Sequence, residues 1–199
     1  GDWSSDVCSS DLLVLILCGS VSNWIEENII NSTGFYGRVS LKLRLEELPL
    51  SDCNKFWAEK KDRVSSYEKF KILSVTGGIP KYLEEVLPSE SAEKNLNHLC
   101  FRKEGLLYRE YGQIFADLFS RRASTFDKII RILSGGAKNL DEISLSLGVS
   151  KSGNTSKYLQ ELVSVGFVTE DRTWNIRNKT LSNLKVFRLR DNYIRFYLK

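Results

Sequence analysis

The 199-residue sequence contains no methionine, one histidine, three prolines and four cysteines. A single histidine excludes a His-based metal cluster, and His98 has no acidic or cysteine partner at the spacing a catalytic triad uses. It therefore reads as a structural residue between Leu96 and Leu99. The cysteines are scattered and none forms a CxxC pair, which argues against a disulfide framework and for a reduced compartment. Cys18, Cys53 and Cys100 stand beside apolar residues and are expected to be small buried hydrophobes. The longest apolar run, Leu12 to Leu17, is far short of the roughly 20 residues that a membrane span needs. Asp2, Asp6 and Asp11 precede it where a signal peptide would have a basic flank. A hydrophobic content of 42% and a charged content of 27% exclude wholesale disorder. The expectation is a cytoplasmic globular protein with no membrane partner, of one ordinary domain or two small ones.

The missing methionine also bears on the opening residues. Gly1-Asp-Trp-Ser-Ser-Asp-Val-Cys-Ser-Ser-Asp-Leu12 resembles the in-frame translation of a sequencing adapter. Residues 1–11 lack periodicity and carry only Trp3 and Val7 as large apolar groups, so they are expected to be an artefactual tail outside the fold. At the other end, Tyr193, Ile194, Phe196, Tyr197 and Leu198 form an apolar-aromatic pattern that stops at Lys199. The chain is accordingly read as an internal fragment.

Charge is distributed unevenly. Residues 13–119 hold 14 Lys+Arg against 15 Asp+Glu, whereas residues 120–199 hold 15 against 7, a net of +8. Such asymmetry points to two modules divided near Ser120–Ser124, the second facing an anionic partner. In the first module, Leu12 to Leu17 has the continuous apolar character of a strand buried on both faces. Val21, Trp24, Ile25 and Ile29 follow at helical spacing, and Ser40 to Leu45 alternates strictly, as a strand does. Strand, Gly19-Ser20, helix places Ser20 or Ser22 where α/β sheets bind phosphates, although Ser22 serves equally as a helix N-cap. Thr76-Gly77-Gly78-Ile79-Pro80 reads as a tight corner between two helices, able to set backbone and a proline ring against a flat ligand.

The second module spells out three helices. Ser124 to Asp127 resembles a capping box that opens a helix with Phe126, Ile129, Ile130 and Leu133 on one face. Asn139 with Glu142 caps the next helix, which carries Leu140, Ile143 and Leu147. Gly148-Val-Ser150 is a short turn, and a third helix follows with Leu159, Leu162 and Val163. Three helices with a Gly-containing turn before the third form the helix-turn-helix pattern. Residues 167–171 and 185–190 then read as the strands of a wing. Lys151, Ser152, Asn154, Thr155 and Lys157 lie on the first half of the third helix, the part that enters a major groove, and have the chemistry to meet base edges and phosphates of double-stranded DNA. Residues 172–199 add eight Lys+Arg against one acid. The same module is also of a kind that docks on proteins.

Taken in order, Leu15-Ile-Leu-Cys-Gly-Ser20, Trp24-Ile25, Ile29-Ile-Asn31, Tyr36-Gly-Arg-Val39, Pro49-Leu-Ser51, Gly77-Gly-Ile-Pro-Lys-Tyr-Leu83, Leu106-Leu-Tyr-Arg-Glu110, Leu118-Phe119 and Phe187 to Tyr197 resemble the C-terminal part of the AAA+ (STAND-type) ATPases of archaea and bacteria, over residues 12–199. The resemblance implies the end of a P-loop sheet with a helical lid over residues 12–119, a winged helix-turn-helix over 120–190, and the start of a truncated nuclease-like domain over 191–199, mostly α overall. It implies that Ser20 is at the sensor-1 position, that Arg38 is the arginine of the Gly-Arg motif, and that Gly78 and Pro80 belong to the lid motif at the nucleotide base. ATP and Mg²⁺ are the cofactors it implies for the parent ATPase. No Gly-rich Lys-Ser/Thr loop and no apolar strand ending in paired acids occurs in the chain, so the fragment itself is expected to be inactive and to bind nucleotide weakly. The expected function is a nucleotide module controlling a DNA- or partner-binding winged helix. The alternatives are a DNA-binding regulator without ATP control and a protein-interaction scaffold.

Overall fold

The computed structural model describes residues 16–19, 25, 29–60, 62–119, 122–149 and 153–199. By contacts the chain divides into two compact units, Gly1–Lys42 and Leu43–Lys199. The artefactual tail expected over 1–11, and most of the buried strand expected over 12–17, lie outside the described residues. Ile16 and Leu17 are described; both are exposed and neither is in a strand.

In the first unit, a 3₁₀ turn at Thr33–Phe35 closes with the Tyr36 amide donating to the Thr33 carbonyl at 3.3 Å. Gly37 follows in the left-handed region at φ 72°.

The strand expected from Ser40 to Leu45 is absent. These residues are not in a strand, and Leu41, Leu43 and Leu45 are exposed, Leu45 at 92%. Alternation creates an apolar face, but a strand also needs a hydrogen-bonded neighbour and a layer to cover that face. Among the described residues, neither is supplied here.

The second unit is mostly helical. Its helices are α1 (Leu50–Cys53), α2 (Ser66–Thr76), α3 (Pro80–Glu84), α4 (Ala92–Leu96), α5 (Glu110–Phe119), α6 (Ala123–Ser134), α7 (Leu140–Ser146), α8 (Gly153–Ser164) and α9 (Asn192–Tyr197). A 3₁₀ segment (Asn54–Lys60) and a π-helical turn (Asn97–Phe101) extend α1 and α4. Three strands, β1 (Lys138–Asn139), β2 (Val168–Asn175) and β3 (Thr180–Leu189), form an antiparallel sheet in the order β1-β3-β2. Among the described residues, no helix is long and apolar enough to cross a membrane.

Local chemistry sets the helix starts. Ser65 accepts from the Glu68 amide to open α2, and Ser91 accepts from the Lys94 amide to open α4. Asn139 and Glu142 make both halves of a capping box on α7, at 3.0 and 2.7 Å. The cap expected at Ser124–Asp127 does not form. α6 begins two residues earlier than such a cap would set it, at Ala123, and the Asp127 carboxylate is taken instead by the Tyr111 hydroxyl and the Arg131 guanidinium.

Buried side chains on α6 (Phe126, Ile129, Ile130, Leu133) follow the helical repeat that the sequence shows. Each contributes about 1.5–3 kcal/mol by leaving water. They join one continuous hydrophobic cluster that reaches back to Trp57, Ile72, Val75 and Leu99 and forward to Leu159, Phe187 and Ile194. The core therefore runs unbroken past residues 120–124. Residues 191–199 are part of it: Tyr193 and Ile194 are buried, and the Asn192 amide group donates to the Leu73 carbonyl at 3.3 Å. Of the cysteines, Cys53 is buried and Cys100 half-buried, its thiol pushed up to about 11 by burial. Cys18 is exposed, against the expectation of a buried group. His98 is exposed.

Candidate nucleic-acid interface

α7, a turn and α8 stand beside the β2–β3 hairpin. Inside α8, Leu159 and Leu162 face the core and Glu161 is held at 2.9 Å by Arg122, whose guanidinium also lies over the rings of Phe126 and Tyr158. This packing leaves Asn154 and Lys157, three residues apart and so on one helix face, both exposed. Thr155 is different. It is 2% exposed because it lies four and seven residues before Leu159 and Leu162, on the buried stripe, so its hydroxyl does not reach a groove. Lys151 and Ser152 lie outside the described residues.

The hairpin is longer than the sequence indicates. β2 continues to Asn175 and β3 begins at Thr180, with Trp174 opposite Leu181 and an irregularity in register between Arg172 and Trp174. Its turn is built by asparagine chemistry: the Asn175 side chain accepts from the Asn178 amide at 3.1 Å, and Lys179 takes a left-handed φ of 51°.

Cations along the hairpin fall into two groups. Lys185 and Arg172 are paired with Glu170, at 2.9 and 3.7 Å, and Arg188 with Asp171 at 3.1 Å. These pairs hold the Glu170 carboxylate below its ordinary range, chiefly through the hydrogen bond from Lys185. Among the described residues, Arg177, Lys179, Arg190 and Lys157 have no acidic partner. Arg177 and Lys179 sit at the turn, beside exposed Trp174 and Ile176. Trp174, Arg177 and Lys179 lie beyond the strands that the sequence indicates. The Asn-Ile-Arg-Asn turn was the signal that would have extended the strands to them.

The residues assigned to a nucleotide by resemblance are placed as follows. Ser20 lies outside the described residues. Arg38 is exposed and belongs to the first unit. Gly78 and Pro80 come together at the α2–α3 corner, with Pro80 at the first turn of α3 and Gly77 in a positive-φ conformation at 58°. The Gly78 amide donates to the Glu47 carboxylate at 3.0 Å and its carbonyl accepts from the Leu48 amide at 2.8 Å. Both backbone groups of Gly78 are thus engaged by residues 47–48. Nearby, burial pushes the Tyr82 hydroxyl far above its usual range, aided by Glu110, which it hydrogen-bonds at 3.0 Å.

No protein-family model, no curated protein and no solved structure matches the chain.

Proposed function

We propose that residues 123–190 form a winged helix-turn-helix that binds duplex DNA, and that residues 43–119 are the lid side of the AAA+ (STAND-type) ATPase module that the sequence resembles. Support for the first part comes from element order. Helix, short strand, helix, turn, helix and antiparallel hairpin, with the short strand paired to the second hairpin strand, is the sequence of parts of a winged helix. The observation that carries DNA binding is that the cations at the proposed contact points, Lys157 on α8 and Arg177 and Lys179 at the wing turn, have no acidic partner in the described protein. The cations nearer the base of the wing, Arg172, Lys185 and Arg188, are each paired with Glu170 or Asp171. Lysines and arginines held free of internal partners are available to displace counterions from phosphates.

The residues present do not fit ATP. The Gly78 amide is already bonded to Glu47 and its carbonyl to the Leu48 amide, and the sequence carries no phosphate-cradling Lys-Ser/Thr loop. Nucleotide control is proposed of the whole ATPase module, and this chain's own contribution is the DNA-binding part.

Anisotropy titration of a fluorescent duplex at several salt concentrations tests the reading. Changing Lys157, Arg177 and Lys179 to Ala should lower the slope of log K against log salt by about 3. An affinity weaker than roughly 10⁻⁴ M at about 0.1 M salt overturns it. Protein docking is the second reading, favoured by the apolar groups exposed on the same wing, Trp174, Ile176, Leu181 and Leu184. It predicts no salt slope.

A further inference from the structure

At the end of the sheet away from the wing turn, the close of α6, the end of β3 and the last turn of α9 border a half-open hollow of about 200 Å³. We propose that this hollow is a phosphate site, receiving the phosphoryl group of a phosphate ester.

Three cations line it: Arg188 from β3, Arg195 from α9, and Lys199 one helical turn beyond Arg195. Among the described residues, no acidic side chain lines it. Arg188 uses its Nε on Asp171 and keeps its terminal nitrogens, whereas Arg195 and Lys199 have no acidic partner among the described residues. Ser134, on the rim, donates its hydroxyl to the Arg131 carbonyl at 2.8 Å, so that proton is not available to a ligand. Gly136 contributes wall without a side chain, and Leu133 and Leu189 supply an apolar side.

Two guanidinium groups and an ammonium suit a dianion with several oxygens better than a single carboxylate, because each guanidinium can present two parallel N–H donors. The volume is below the roughly 300–1,000 Å³ of pockets that enclose a drug-sized ligand. The hollow therefore takes a phosphoryl head with a small apolar substituent against the leucines, and not a whole nucleotide. A strand of this length puts Arg188 roughly 30 Å from Lys179. The site is thus separate from the proposed wing contact, and the inference does not rest on the DNA reading.

Inorganic phosphate, titrated into the full chain by calorimetry at constant ionic strength, is the direct probe. Saturable binding in the range of about 1–10 mM is expected, weakened about tenfold or more in Arg195→Ala and in Arg188→Ala and unchanged in Lys157→Ala. Both arginines are exposed, so circular dichroism should show the variants folded. No saturation by about 50 mM, or equal affinity in wild type and Arg195→Ala, overturns the proposal. A short duplex added to the phosphate-loaded protein separates the sources: release of phosphate assigns the site to a nucleic-acid backbone, and retention assigns it to a free phosphate ester. The wing variants (Arg177→Ala, Lys179→Ala) should leave phosphate binding intact, so either reading can fail without the other.

Discussion

Gly78 lies so close to Leu48 that a Cβ built on it would be 2.3 Å from the Leu48 carbonyl oxygen and 2.8 Å from its nitrogen. Neither atom can yield, since both belong to backbone and the Leu48 amide is bonded to Gly78 itself. Gly112, within α5, is the opposite case, with nothing within 4 Å of a built Cβ. Gly78→Ala should therefore destabilise by about 1–3 kcal/mol through overpacking. Gly112→Ala should stabilise by about 0.5–1 kcal/mol through the loss of unfolded-state freedom. Urea unfolding of the two variants checks the pair, and equal effects would mean that the α2–α3 corner is not close-packed. Thr155 belongs at this scale too: its hydroxyl is hidden by the same helical repeat that identifies Leu159 and Leu162.

The last helix shows what an element-scale cap can cost. Asp191 opens α9 by accepting from the Ile194 amide at 2.7 Å, yet burial raises its pKa, with further upward pressure from the Glu47 carboxylate. The charged group that acts on it is Glu47 from the 43–48 segment. A carboxyl whose folded value is raised binds its proton more tightly in the folded state. Stability then falls as pH rises from the unfolded value of about 3.9 through the folded one. Asp191→Asn keeps a capping oxygen and cannot ionise. Its stability should match wild type near the acid end of that window and exceed it at neutral pH, measured as thermal midpoints across the range. A difference that does not vary with pH would rule out ionisation as the cause.

Elements were legible where local chemistry settles them. The Asn139–Glu142 cap, the stripe Phe126, Ile129, Ile130, Leu133 and the turn before α8 are each specified by residues a few positions apart. Two other features could not be read so. Asp127 looked like half of a capping box but is claimed by Tyr111, sixteen residues away. The leucines at 41, 43 and 45 have the alternation of a strand, but pairing depends on chain that is distant in sequence. The cation pairs that set Lys157, Arg177 and Lys179 apart from Lys185 and Arg188 depend on strand register, which single residues do not reveal.

Across the whole of Leu43–Lys199, the core admits no break at residues 120–124. Tyr193 donates to the Leu107 carbonyl at 2.6 Å and accepts from the Tyr111 amide at 3.2 Å, while its ring meets Tyr82 and Tyr197. Phe119 stacks on Phe126 with centroids 3.8 Å apart, bridging the charge boundary with aromatic contact. The charge asymmetry marks a change of surface and not of core. One cooperative transition is therefore expected for both halves. In a variant retaining only Trp57, with Trp3, Trp24 and Trp174 changed to Phe, urea midpoints from tryptophan emission and from helical ellipticity should coincide. Separate midpoints would show two independently folding parts.

The bond from Asn192 to Leu73 spans 119 residues of chain. During synthesis, at about 5–20 residues per second, α2 leaves the ribosome roughly 6–24 seconds before the segment that completes its packing exists. Throughout that interval the apolar face of α2 has no α9 to cover it, so the nascent protein is exposed to wrong partners for longest in the half translated first.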